Sequence, residues 1–291
     1  MHILIALLPS LLWGTMALLN AAFPTDPRRQ NTFVIAGGGA ASLLTSPLAG
    51  AAWSPRSLVW GSLSGLLWSI GIVLVIKGFQ TWGASRTMPL TTALQLALNG
   101  LIGVVLLGEW RAPGAMALGL GAVALVIAGG TAGTWQEGGG VGPSPRMRRI
   151  GALMTVCSAF FLGIYPGLLR LTDVSSADAV GPMGIGLLVG AVVASRVLPR
   201  NGPLRGGGMV PALLSGVVWA LGNIALLRST SIVGVAAGFT FSQRAQDAVA
   251  TELASTAIQG VSKYLGGRIR AVRLRLKAGH RVYLVPRGPG E

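Results

Sequence analysis

A chain of 291 residues that is 52% hydrophobic and only 11% charged has about half the charged share of an ordinary soluble domain, which excludes water as its main solvent. Its formal net charge of +15 would suit a nucleic-acid partner, but the arginines sit mainly between apolar runs and in the tail. Retention on the cytoplasmic side of a membrane accounts for that placement.

A hydrocarbon core ~30 Å thick takes about 20 apolar residues of helix. Charge-free stretches near that length fill most of the chain, at 1–25, 30–55, 57–76, 87–108, 112–136, 150–169, 179–195 and 206–227. Eight membrane spans are therefore predicted. The first lacks a basic leader region and is followed by another apolar run, so it reads as a retained span rather than a signal peptide. The third contains SGLLWSIG at 64–71 and ends at Lys77, a side chain that can snorkel. The fourth ends at Glu109. After the fifth comes a Gly/Pro/Arg-rich linker, TWQEGGGVGPSPRMRR at 134–149, and a new apolar series begins at Ile150. The sixth holds the single Cys157, while the two histidines, His2 and His280, lie near the ends, so neither a disulfide framework nor a Cys/His metal site has material to form from. Asp173 and Asp178 follow in a loop, and the eighth run carries SGVVWALG at 215–222.

The two octapeptides share Ser64/Ser215, Gly65/Gly216, Trp68/Trp219 and Gly71/Gly222, and the same offset of 151 aligns Gly83 with Gly234. LLWGTM at 11–16 and FLGIY at 161–165 form a weaker echo. Each octapeptide lies in the third span of its half. With five spans per half, the second copy enters the bilayer from the opposite side, which is the inverted-repeat arrangement that places a substrate site near the midplane in many secondary transporters. Convergence on small-residue packing faces is the alternative origin. Lys and Arg concentrate in the odd-numbered loops (Arg28, Arg29, Lys77, Arg86, Arg146, Arg148, Arg149, Arg196, Arg200, Arg205) rather than the even ones (Arg56, Arg111, Arg170, Arg228). Odd loops are expected inside and the N-terminus outside.

An uncharged polyol is recognised by flat apolar faces for its C–H surface and by amides or hydroxyls that both donate and accept. Trp13, Trp68 and Trp219 lie within runs, and Asn20, Gln95, Asn99, Asn223 and Gln243 place amides at membrane depth. Helix packing and interhelical hydrogen bonds are the competing roles for both groups. No carboxylate lies deep in a span, so a proton relay or a cationic-drug site lacks its usual carrier.

LLPSLLWGTMALLN at 7–20, SRTMPLTTALQL at 85–96 leading into GEW at 108–110, GIYPGLLRL at 163–171, and WALGN with GVAAGFTFSQ at 219–243 together resemble the glucose/ribose porter family of bacterial sugar uptake proteins, within the drug/metabolite transporter superfamily. The resemblance implies an all-α, polytopic ten-helix fold of two inverted five-helix repeats, and monosaccharide import across the cytoplasmic membrane by alternating access. It points to Trp13, Asn20, Trp68, Thr92, Gln95, Tyr165, Trp219, Asn223 and Gln243 as pocket residues. Two departures put apolar side chains where the family commonly has glutamine, at Ile72 and Met183.

After Gln243 the chain becomes Arg-rich, with eight Lys/Arg beyond residue 260 and no uncharged run long enough to span. A shifted reading frame in a GC-rich gene would produce that change; a basic tail attracted to anionic lipid heads is the competing reading. The expected organisation is a first repeat over 1–133, a cytoplasmic linker over 134–149, an incomplete second repeat over 150–243 with its last one or two helices degraded, and a non-membrane tail over 244–291. The functional expectation is a sugar permease whose partners are a small sugar and the bilayer, with protons the candidate coupling ion, no cofactor and no nucleic acid. A metabolite or drug exporter of the same superfamily and a truncated permease that no longer transports are the alternatives. No nucleophile–base or metal constellation recommends an enzyme.

Overall fold

The computed structural model describes residues 2–23, 25–108, 111, 113–132, 134 and 144–233. Glu109, most of the linker, Gln243 and the basic tail lie outside these. Among the described residues all regular structure is helical: α1 (His2–Ala22), α2 (Pro27–Thr45), α3 (Pro55–Trp82), α4 (Ala84–Leu101, extended by a π-turn over Ile102–Leu106), α5 (Ala115–Ala132), α6 (Pro145–Leu171), α7 (Ser176–Val197) and α8 (Met209–Val233). Each of the eight charge-free runs supplies one helix. Six of the helices, α3 to α8, are long and apolar enough to cross a membrane.

Local chemistry sets the starts. Asp26, Ser54, Ser144 and Ser175 cap α2, α3, α6 and α7 by accepting main-chain N–H groups, and the first three are followed by proline, whose missing N–H costs nothing at a helix start. Some boundaries differ from the charge-free runs. The run 30–55 is not one helix, since α2 stops at Thr45 and the chain turns through a short 3-10 segment, Pro47–Ala49, to a left-handed Gly50. Lys77 does not close its helix, because α3 continues to Trp82. Arg146, Arg148 and Arg149 ride on the first turns of α6 rather than in the linker.

Packing order differs from chain order. The helices pack as a series: α1 on α8, α8 on α2, α2 on α7, α7 on α3, α3 on α6, α6 on α4, and α4 on α5. Consecutive α2 and α3 barely meet, and neither do α7 and α8. Two bodies result, one of α1, α2 and α8 and one of α3, α6 and α7 with α4 attached, joined chiefly where α2 crosses α7. None of the side chains of α5 is buried within the chain.

The octapeptides make these joints. A Cβ on Gly65 of α3 would run into the Met183 carbonyl of α7, and one on Gly216 of α8 into the Val34 carbonyl of α2. Gly71 is closed by Leu162 of α6 and Gly222 by Trp13 of α1. Ser64 Oγ donates to the Tyr165 carbonyl at 3.1 Å, and Ser215 Oγ to the Met16 carbonyl at 3.5 Å. Gly37 meets the Leu213 carbonyl, and Gly186 the Ser62 carbonyl. Every pair is matched by its counterpart in the other half, shifted by 151 positions in α3/α8 and by 149 in α1/α6 and α2/α7. Small residues serve here because lipid gives packed helices no hydrophobic drive, so close backbone approach has to supply the attraction.

Candidate functional site

The Trp68 and Trp219 rings lie with centroids 3.9 Å apart and planes tilted by 36°. Both are 4–5% exposed, and each lies near the middle of its helix. Beside them is a cavity of about 200 Å³ between the two bodies, lined on one side by Trp13, Met16 and Trp219 and on the other by Trp68, Ile72, Val75, Met88, Thr91, Thr92, Gln95, Leu162 and Tyr165. Six of the nine side chains expected at a pocket therefore meet in one place: Trp13, Trp68, Thr92, Gln95, Tyr165 and Trp219.

A hydrogen-bond frame holds the walls. Trp13 Nε1 donates to the Trp219 carbonyl at 3.3 Å, which fixes α1 against α8. Tyr165 Oη donates to Asn223 Oδ1 at 3.1 Å, and Asn223 Nδ2 to the Met183 sulfur at 3.3 Å. Asn223 is 1% exposed and stands behind Tyr165, off the cavity surface, so it supports the wall rather than forming it. Ser158 shares a hydroxyl pair with Thr91 at 3.4 Å, and Asn99 Nδ2 donates to the Gln95 carbonyl at 2.9 Å.

The side chains of Gln95 and Thr92 have no hydrogen-bond partner among the described residues. They are the open donor and acceptor groups of an otherwise apolar chamber. Asn20 is elsewhere: it sits at the end of α1, its main-chain oxygen accepts from Gln30 Nε2 at 3.1 Å, and it is absent from the cavity lining. Gln243 lies outside the described residues.

Met16, Val75, Met88, Thr91 and Leu162 line the cavity without having been singled out in the sequence, and Ile72, noted there only as a departure from the family pattern, lines it as well. The repeat register could have found three of these six, since Met16 is the counterpart of Tyr165, Ile72 of Asn223 and Leu162 of Trp13. Tyr165 of α6 and Asn223 of α8 thus form a polar pair, while their repeat counterparts, Met16 of α1 and Ile72 of α3, are apolar.

Two other cavities, each of about 270 Å³, lie away from this point. One between α3, α6 and α7 is apolar apart from Ser69 and Lys77. The other, between α2, α7 and α8, carries Thr45, Ser176 and Arg228. The described carboxylates are all at helix ends, and among the described residues the one ion pair is Arg56 with Asp173 at 3.9 Å, both exposed. No group of three or more His, Cys, Asp or Glu comes together among those residues.

Comparison with known proteins adds a second line of observation. Residues 4–255 match the family model described as Sugar transport protein. The chain is 32% identical to the glucose uptake protein GlcU of Bacillus subtilis over 244 residues, which cover 84% of each chain. It is 30% identical over 243 residues, again 84% of each, to a putative sugar uptake protein of Listeria monocytogenes. The family match runs past Gln243, where the motif resemblance ends, and stops at residue 255. No solved structure matches.

Proposed function

The chain belongs to the sugar transport protein family, and from that premise we propose that it carries a monosaccharide of the glucose or ribose type across the bacterial cytoplasmic membrane through the mid-helix cavity. The observation that carries the reading is the convergence of three indoles with the open Gln95 and Thr92 groups at the middle of the bundle. Indole faces suit the C–H surface of a sugar ring, and an amide and a hydroxyl can each donate and accept towards its hydroxyls. The volume argues in the same direction. About 200 Å³ equals the liquid share of roughly seven waters, below the ~300–1,000 Å³ of drug-sized sites. A small solute fits.

The mechanism in this reading is alternating access between two inverted five-helix repeats, 1–133 and 150–243. Exchanged contacts support it, because a residue pair reappearing with its partners swapped is the pattern of an isologous two-fold contact. Five spans per repeat would lay that axis in the membrane plane. The loop-charge count supports a cytoplasmic 134–149 linker, and the charges beyond residue 243 support a tail outside the hydrocarbon.

The test is uptake of labelled glucose and ribose by liposomes containing the purified 291-residue chain, with unlabelled sugars, amino acids and lipophilic cations as competitors. Saturable uptake blocked only by sugars is expected. Absence of sugar uptake together with saturable uptake of labelled amino acids or lipophilic cations would favour an exporter, and no uptake of any of these would favour a permease whose second half is incomplete.

A further inference from the structure

The repeat register extends beyond the core to the two ends of the α2/α7 pair, and there it pairs residues of opposite charge. At one end, Arg29 near the start of α2 holds the loop before α8. Its Nε donates to the Leu204 carbonyl at 3.1 Å, Nη2 to Pro203 at 2.6 Å and Arg205 at 3.5 Å, and Nη1 to Gly207 at 2.9 Å and to Thr25 Oγ1 at 3.1 Å. Beside it, Arg28 Nε reaches the Ser195 carbonyl of α7 at 2.7 Å, a direct bond between the two bodies.

At the other end the counterpart of Arg29 is Asp178, near the start of α7. Its Oδ1 accepts the Ala52 N–H at 2.8 Å, in the loop before α3, and its Oδ2 accepts Ser175 Oγ at 2.6 Å. Ala52 is the counterpart of Pro203. Position for position, a cation binds loop carbonyls at one end and an anion binds a loop N–H at the other. Between the two ends α2 and α7 touch most closely at Gly39 and Gly184, where a Cβ on either would meet the carbonyl of the other.

We propose that Arg29 and Asp178 are the paired positioning residues of the transport cycle, each latching shut one end of the bundle while the bodies rock about the Gly39/Gly184 crossing. Each latched loop is itself a connection between the bodies, 198–208 running from α7 to α8 and 46–54 from α2 to α3. Spreading the ends of α2 and α7 on one side therefore pulls that loop off its latch and leaves the other in place. A guanidinium shared among several carbonyls is harder to release than a carboxylate on one N–H, because charge-assisted bonds formed by a planar fork act together. The Arg29 end is therefore the firmer one. With the basic loops inside, that is the cytoplasmic end, and at rest the protein opens outward more readily.

The inference rests on the transport reading, and spin-label distances test it separately from sugar binding. In the full chain with Cys157→Ser, reconstituted in nanodiscs, one label pair (Asn31→Cys with Arg196→Cys) reports the Arg29 end and another (Leu44→Cys with Leu171→Cys) the Asp178 end. Arg29→Gln should lengthen the first distance and leave the second unchanged or shorter. Asp178→Ala should do the reverse. Asp178→Asn, which keeps an oxygen for the Ala52 N–H, should resemble the parent, and Arg29→Lys should give a partial shift because an ammonium cannot span the carbonyls. The latch assignment is overturned if neither variant moves either distance, or if either widens both ends together. Sugar binding by the parent is read in parallel from tryptophan quenching. Selective distance shifts in a protein that binds no sugar would uphold the latches and sink the sugar reading.

Discussion

Replacing Gln95 by alanine separates recognition from folding. The side chain forms no hydrogen bond with any described residue, so its loss removes nothing from the fold beyond a few methylene contacts at the cavity wall. A bound sugar, by contrast, would lose both a donor and an acceptor. At about 0.5–1.5 kcal/mol net for each neutral hydrogen bond, the loss comes to roughly 1–3 kcal/mol. That weakens Kd by roughly 5- to 150-fold. Trp13, Trp68 and Trp219 line the same cavity, so quenching of intrinsic fluorescence on sugar titration reports occupancy, and a melting curve in the same detergent reports the fold. The expected result is a weakened Kd with an unchanged melting midpoint. A Gln95→Ala protein that binds sugar within twofold of the parent would refute the assignment, and one that melts early without a change in Kd would make Gln95 a packing residue.

Gly65→Ala and Gly216→Ala each drive a methyl into a backbone carbonyl, at Met183 and Val34. Each should cost about 1–3 kcal/mol, as overpacking does, and a difference beyond that range in chemical denaturation would break the equivalence of the two joints. Trp68→Ala and Trp219→Ala should be coupled by about 0.5–1.5 kcal/mol in a double-mutant cycle, the usual value of an aromatic pair; additive losses would mean that the rings do not meet in the bilayer. For topology, Gly139→Cys in a Cys157→Ser background should react with an impermeant reagent only after cells are opened. Labelling of intact cells would reverse the orientation.

Helix positions were legible because in a membrane the solvent itself selects long apolar helices, although of the eight expected spans six, α3 to α8, are long and apolar enough to cross. What the charge pattern could not mark was a helix end without charge. Thr45 to Ser54 is apolar or small throughout, and only Pro47, Gly50 and Pro55 betray the turn. The tryptophans of the site stood out as bulky, amphipathic side chains in mid-run. Met16, Val75 and Leu162 did not, since an apolar residue facing a cavity has the same composition as one facing lipid. The role of Asn223 was hidden for a different reason. Its partners, Tyr165 and Met183, come from α6 and α7, and with small residues on several faces of each helix no periodicity says which face meets which neighbour.

The body that α3 completes is made largely of helices translated long after it. When α3 leaves the ribosome, the backbone groove for Gly65 does not yet exist, because Met183 lies more than a hundred residues further on. The first half must therefore wait in the bilayer with an unfilled seam, and it closes only as the second half arrives and offers its own third helix in return. Biogenesis becomes a mutual exchange rather than the sequential completion of two modules, in contrast to the domain-by-domain folding usual during synthesis. Two separately translated fragments cut within the 134–149 linker should find each other in the membrane, while either one alone should be a substrate for membrane quality control.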